Sequence, residues 1–347
     1  MKALRYEGLN KVALTDLPVP VVSDGEVLVA VEVCGLCGSD ILKIDSDIRG
    51  RDVPLGHELA GRIELLGPGV KGFKRGDRVV VAHHVPCGDC HYCRKGSPSM
   101  CREFKQTNLD PGGFAEYVRV SARHVENVMF KVPAKVSASQ AALTEPLACC
   151  LRNIRRLGLG EGDTAVVVGL GFIGLLTSLA LKRLGVTVVG LDTDPSRVKL
   201  ALKLGLVHAY TGRENRTEAV ISQLSQGRGA DALVVTAGPA ALVPQRLAWV
   251  RDGGVVNLFA GFNKQPPAHL DLDQLYHREI TLLSSYSPAL EDLREAHRLI
   301  CSGELDVSPF VKSTFGLDRF DEALRQVRGR EIVKAMLLPH KHGSGRP

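Results

Sequence analysis

Aromatic side chains are scarce: they make up 5% of the 347 residues, and Trp249 is the sole tryptophan. That argues against an aromatic-walled sugar cleft or a base-stacking platform. Charge of one sign is also lacking. Lys and Arg number 44 against 38 Asp and Glu, a net +6 with both signs interspersed, so there is no basic stripe for nucleic acid. The 36 glycines follow no fixed period, which excludes a collagen-like repeat. Long hydrophobic runs are nearly absent. Residues 164–181 carry no charge, but Gly169, Gly171 and Gly174 interrupt them, so they read as strand, turn and helix and not as a membrane span. The opening Met1-Lys2-Ala3-Leu4-Arg5-Tyr6 lacks the apolar run of a secretion signal, which sets the expectation of a cytoplasmic protein without membrane partners. Nine cysteines, an odd number, do not suggest a secreted disulfide framework; clustered thiols in a reducing compartment more often hold metal.

A chain of this length holds about two domains, and 44% apolar residues are enough for two cores. Up to about residue 135, short β-branched runs bounded by Gly, Pro and Asp predict an irregular barrel of strands. Beyond it, apolar runs at 165–169, 186–192, 232–236 and 254–259 read as buried strands. Between and after them, 172–184, 195–204, 216–225 and 240–250 read as helices. That alternation predicts a doubly wound parallel sheet and an α/β fold. Helices at 290–302 and 317–329 and a strand at 332–337 follow, and 340–347 reads as a frayed tail.

Cys87, Cys90, Cys93 and Cys101 have the spacing C-x2-C-x2-C-x7-C. Zinc takes four thiolates in a tetrahedron, and two-residue gaps let one tight turn aim successive sulfurs at a point. Four thiolates fill the shell and leave no place for a substrate, so this site reads as structural. A redox CxxC pair or an iron–sulfur cluster are the weaker alternatives.

Gly169-Leu170-Gly171-Phe172-Ile173-Gly174 fits G-x-G-x-x-G between a strand and a helix, and Asp192 ends the next strand 18 residues beyond Gly174. In this context the residues point to a dinucleotide. Gly169 permits the turn, Gly171 admits the pyrophosphate to the helix N-terminus, and Gly174 lets helix meet strand closely. Asp192 accepts hydrogen bonds from ribose hydroxyls and repels a 2′-phosphate, favouring NAD over NADP. Arg197, five residues on, can soften that preference.

Three further segments carry chemistry: Cys34-Gly35-Leu36-Cys37-Gly38-Ser39-Asp40, Gly56-His57-Glu58 with Gly61, Gly67 and Val70, and Thr144-Glu145-Pro146. Taken singly, His57 is also compatible with a satisfied core histidine, and Glu145 with a helix-start carboxylate. Together with the cysteine cluster and the glycine turn, and in this order along nearly the whole chain, they resemble the zinc-dependent medium-chain dehydrogenases. Glu145-Pro146 is similar to the polyol branch, the sorbitol and galactitol-phosphate dehydrogenases.

The resemblance implies a GroES-like catalytic domain over 1–148, a Rossmann NAD domain over 149–287, and a return of 288–347 to complete the first, with the active site in the cleft. It implies two zincs per chain. Cys37, His57 and Glu145 would hold the catalytic one, Glu145 directly or through water, with Glu58 behind and able to exchange with water. Asp40 would orient His57, and Ser39 would take the proton of an alcohol whose hydride passes to NAD. Many relatives have a histidine as the outer relay where this chain has Leu42. The implied substrate is a small secondary alcohol, most simply a polyol, oxidised by a homo-oligomer, a tetramer or dimer. Lys43 and Tyr286 are candidate pocket residues, though Tyr286 is equally readable as a core tyrosine. Lys43, with Arg49 and Arg51 adding positive field, would suit a phosphorylated or carboxylated alcohol. The rival readings are a zinc-free reductase of the same superfamily, which would lack Cys37, His57 and Glu145, and a zinc-bearing regulatory or nucleic-acid module.

Overall fold

Val27–Gly35 is a nine-residue run of mostly β-branched and small residues, nearly all buried, and the first sheet is built outward from it. It pairs antiparallel with Glu58–Leu66, from Val27 opposite Leu66 to Gly35 opposite Glu58, with two register shifts. The computed structural model describes residues 1–48, 53–212, 216–262 and 265–340. The chain divides into two units, Met1–Ala148 with Ala289–Pro347, and Cys149–Pro288.

In the first unit, a seven-stranded sheet runs Thr314–Gly316, Met336–Leu338, Val27–Gly35, Glu58–Leu66, Arg78–Val81, Met129–Lys131, with Tyr117–Val120 also on Val27–Gly35. The hairpin Lys2–Gly8 and Lys11–Asp16 is a separate two-stranded sheet that packs Leu4 and Tyr6 into the core of the larger one. The expected irregular barrel is thus one large bulged sheet plus a hairpin. Two of its strands come from the end of the chain: Met336 lies opposite Gly35 and Leu337 opposite Cys34. The same core takes Val29, Val31, Ile63, Val79 and Phe114 from the first part and Phe315, Phe320 and Leu337 from the last.

The second unit has six parallel strands in the order His208–Tyr210, Thr187–Leu191, Thr164–Val168, Ala230–Val235, Val250–Leu258, Thr281–Ser284. Numbered along the chain this is 3-2-1-4-5-6, the dinucleotide-binding order, whose direction reverses between the first strand and the fourth. Every residue of Thr164–Val168 is buried, as a central parallel strand covered on both faces demands. Helices Phe172–Arg183, Pro195–Lys203 and Arg216–Leu224 lie where the sequence pattern placed them. No described helix is long and apolar enough to cross a membrane.

The helix expected over 240–250 is only Leu242–Gln245 and a 3-10 turn, Leu247–Trp249. Pro244 has no N–H to continue it, and Val250 already begins a strand. Runs of three and four residues show no period, so the sequence pattern does not mark the strands His208–Tyr210 and Thr281–Ser284. The expected helix 317–329 is a 3-10 turn, Leu317–Arg319, running into Phe320–Arg328, and the strand expected over 332–337 is Met336–Leu338. The tail beyond 340 lies outside the described residues.

Candidate metal centres and nucleotide site

The four-cysteine cluster is made by one stretch of chain. Gly88 turns it at φ +84°, Cys90 precedes the helix His91–Arg94, and Cys101 precedes Arg102–Gln106. The sulfurs of Cys87 and Cys93 are 3.8 Å apart, Cys90 and Cys93 3.5 Å, and Cys101 and Cys87 3.5 Å. A zinc tetrahedron with bonds of about 2.3 Å has edges of about 3.8 Å, so the four fit one zinc and are far too distant for disulfides. The Asp89 side chain holds the Cys87 thiol up at about 12. Burial opposes ionisation of Cys101, yet backbone N–H groups of Cys87 and Phe104 aimed at its sulfur bring it down to about 6. Four sulfurs this close cannot all ionise without a cation among them, and the cluster suggests a structural zinc.

A second set of donors gathers in the same unit from distant segments. Cys37 begins the helix Gly38–Ile44, His57 and Glu58 open the strand Glu58–Leu66, and Glu145 lies in the first turn of Thr144–Leu157. The donor atoms form two triads that share His57: Cys37, His57 and Glu58, and His57, His83 and Glu145, each with its atoms within 4.8 Å of one another. Cys37, not Cys34, belongs to the set. Cys34 is buried, and burial, with Asp40 and Glu58 nearby, pushes its thiol well up. His83 did not stand out in the sequence. It follows the strand Arg78–Val81, and its ring centroid is 4.5 Å from that of His57 and 3.9 Å from that of His84.

Asp40, fully buried, ties two of these segments together. One carboxylate oxygen accepts the Cys37 N–H (3.2 Å); the other accepts the Gly56 N–H (3.0 Å) and lies 3.3 Å from His57 Nδ1, close but not aligned as a hydrogen bond. Burial works against charge on both, but their mutual attraction holds Asp40 below the usual carboxylate range and, with Cys37, holds the His57 imidazole well above its ordinary value. Ser39 is exposed, with Oγ 3.4 Å from His57 Nε2. Glu58 is 1% exposed and ion-paired to Lys334, yet Oε1 has no hydrogen-bond donor. An orphaned buried carboxylate oxygen beside a thiol and an imidazole is a donor set that a divalent zinc suits.

Lys43 is half-buried and its ammonium donates to the Pro54 carbonyl at 2.9 Å. Leu42 is 49% exposed and Tyr286 62%, so Tyr286 is not a core residue. Arg49 and Arg51 lie outside the described residues.

In the second unit the glycine turn follows the first strand, beside the point where the sheet reverses. Gly169 adopts φ +90°, closed to most side chains, and a Cβ on Gly174 would fall on the Gly169 carbonyl oxygen. Gly171 precedes the helix Phe172–Arg183, and a Cβ there would meet nothing within 4 Å, so open space lies before the first N–H groups of the helix. Phe172 and Ile173 are half-buried in its first turn. The half-buried Asp192 accepts the Leu170 N–H (2.7 Å) and the Asp194 N–H (2.9 Å), tying the turn to the second strand. Thr236, unmarked in the sequence and just past the end of the fourth strand, shares its hydroxyl between the carbonyls of Val168 (3.0 Å) and Gly169 (2.8 Å). Arg197 is 7% exposed, packed within Pro195–Lys203. The open cradle and free helix end fit a pyrophosphate.

Comparison with known proteins agrees. The family model described as "Alcohol dehydrogenase GroES-like domain" matches residues 23–133, and "Zinc-binding dehydrogenase" matches 173–302. The chain is 32% identical to a sorbitol dehydrogenase of Halalkalibacterium halodurans, over 98% of this chain and 99% of the relative. It is 34% identical to D-altritol 5-dehydrogenase of Agrobacterium fabrum, over 83% and 84%. A Sinorhizobium meliloti protein assigned as a zinc-binding dehydrogenase, solved with NADP bound, matches with a TM-score of 0.86 at 26% identity, over 97% of this chain and 99% of that one. With relatives aligned almost end to end and both family models met in order, the chain belongs to the zinc-dependent medium-chain alcohol and polyol dehydrogenases.

Proposed function

We propose that this dehydrogenase oxidises a secondary alcohol, a polyol or sugar alcohol, to a ketone with NAD, and that each chain holds a catalytic and a structural zinc. The observation that carries the reading is the meeting of two donor triads at His57 beside the Ser39 hydroxyl. Cys37, His57 and Glu145 would hold the catalytic zinc, and Cys87, Cys90, Cys93 and Cys101 the structural one. Bound there, zinc supplies a Lewis acid that polarises the substrate oxygen and lowers its proton affinity.

The chain's own residues do the rest. Asp40 fixes Cys37 through its N–H and faces His57 Nδ1, leaving Nε2 as the donor nitrogen. Ser39 takes the substrate hydroxyl proton; being exposed, it passes that proton to water, which removes the need for a further imidazole where Leu42 stands. In the second unit, Gly171 and the start of Phe172–Arg183 receive the pyrophosphate, and Asp192 meets the ribose hydroxyls. The dinucleotide supplies the hydride acceptor. Asp192 repels a 2′-phosphate, so NAD is favoured over NADP. The names of the relatives, sorbitol and altritol dehydrogenases, support a polyol as substrate. Nine free thiols suit a reducing cytoplasm, and a homo-oligomer is the assembly that goes with this reading.

The test is a panel of polyols, polyol phosphates, simple secondary alcohols and threonine, assayed for NADH formation by protein of measured zinc content. A plain polyol should give the highest kcat/KM, with two zincs per chain. Fully loaded protein that holds one zinc, or oxidises no alcohol, would sink the proposal.

A further inference from the structure

His83 stands among the metal donors, yet the reaction described above gives it nothing to do. A ring nitrogen lies within 4.8 Å of the donor atoms of His57 and Glu145. The imidazole is half-buried and makes no hydrogen bond among the described residues. Its backbone is pinned from two directions. From one, His124 Nε2 donates to the His83 carbonyl at 3.0 Å, and the Ser121 hydroxyl holds the other nitrogen of His124 at 2.7 Å. From the other comes the end of the four-cysteine loop. Thr107, six residues after Cys101, accepts the Val85 N–H on its hydroxyl at 2.9 Å and donates that hydroxyl to the Phe104 carbonyl at 3.0 Å. The Thr107 carbonyl accepts from His84 Nδ1, and the His84 ring touches those of His83 and Phe104, with centroids 3.9 and 4.7 Å away.

An imidazole held this firmly, with nothing bonded to it, is prepared for a ligand atom and not for solvent alone. It stands beside the place where an alcohol oxygen would be polarised. A polyol brings a second hydroxyl on the carbon next to the reacting one, and that hydroxyl loses its water on entry and needs a partner. Imidazole offers one nitrogen that donates and one that accepts, so it suits a hydroxyl in either sense. We propose that His83 bonds the substrate hydroxyl adjacent to the reacting one, and that Thr107, at the end of the four-cysteine loop, is the positioning residue that keeps it in place. This rests on the reading of the His57 centre as that of a polyol dehydrogenase.

The test compares two alcohols on the full, zinc-loaded protein and also reads metal retention. One is the best polyol of the panel; the other is 2-butanol, with a single hydroxyl, read as substrate or as competitive inhibitor. In His83→Phe, kcat/KM for the polyol falls by roughly tenfold or more, mainly through KM, the worth of one substrate hydroxyl left unbonded. Affinity for 2-butanol stays within about twofold, and so does release of zinc to a chelator. Thr107→Val raises KM for the polyol a few-fold with kcat kept, and Thr107→Ser, which keeps the hydroxyl, restores it. In the His83→Phe background Thr107→Val adds nothing, because both changes act through one imidazole. Equal losses on both alcohols, or a Thr107→Val loss that persists without His83, overturn the proposal. Zinc release about tenfold faster from His83→Phe overturns it too, since His83 would then be a metal ligand. Should Thr107→Val not fold, the two alcohols on His83→Phe decide. A wild type that oxidises no alcohol at all defeats the polyol reading itself, and this proposal with it.

Discussion

The four-cysteine loop and the centre around His57 both draw donors to one point, and they do so in opposite ways. In the loop every donor is a cysteine of one short stretch, shaped by Gly88 and two brief helices. Around His57 the donors come from a helix start, two strand ends and a second helix, with Asp40 pinning two segments and Lys334 arriving from the far end of the chain. A local set closes on itself, fills its shell and can only brace the loop. A dispersed set is as rigid as the sheet beneath it, and it can hold a metal without filling every place around it.

The largest effect should break one centre and spare the other. Cys37→Ser or His57→Ala should lower kcat/KM by about 10³-fold or more, because the electrophile of the reaction is lost. Circular dichroism should be unchanged, and elemental analysis should show one zinc fewer. Cys93→Ser should also cost one zinc but lower Tm by roughly 5–10 °C, as loss of a clip worth a few kcal/mol would in a unit of this size. Equal losses of activity and Tm in both variants would erase the distinction between the centres.

The nucleotide site gives a smaller effect. Asp192→Gly should narrow the preference for NAD over NADP by roughly tenfold in kcat/KM, the worth of one charged contact. A wild type that prefers NADP would move attention to Arg197.

A pH effect of the order of 2 kcal/mol should come from His84, whose ring lies against those of His83 and Phe104. Burial holds its imidazole down at about 4 against an ordinary 6.5, although the Thr107 carbonyl pulls the other way. As pH falls below 6.5 the unfolded chain takes up this proton before the folded one does. His84 therefore contributes full stability above 6.5, and that contribution drains away between 6.5 and 4, on the order of 2 kcal/mol after discounting for its partial exposure. Urea unfolding from pH 7.5 to 5 should show a shallower loss in His84→Gln than in wild type; parallel curves would refute the assignment. The smallest effect belongs to Lys43. Its ammonium is engaged by Pro54, so Lys43→Met should change KM for a polyol and for its phosphate alike and by only a few-fold. Selective loss on the phosphate would revive an anionic substrate.

Much of this chemistry was legible because it is local. The cysteine spacing, the glycine turn with Asp192 in step, and the Gly56-His57-Glu58 segment each place their groups through a few backbone angles, which short motifs encode. His83 carried no such signal. It becomes a donor only because Arg78–Val81 pairs with Glu58–Leu66 and brings the end of one strand beside the start of the other. Thr236 likewise matters only through the parallel pairing of Ala230–Val235 with Thr164–Val168. The helix expected over 240–250 failed for a local reason, Pro244, that apolar periodicity outweighed.

By itself the sequence determined the family, the α/β alternation, the four-thiol loop and the glycine turn between strand and helix, because each depends on neighbours a few residues apart. Tertiary structure alone decided which donors meet at His57, that Cys34 is packed away while Cys37 is presented, and that Lys334 reaches Glu58 across Gly35. These depend on sheet register between segments far apart in the chain, and register is set by the packing of two whole faces of side chains, which no single segment contains.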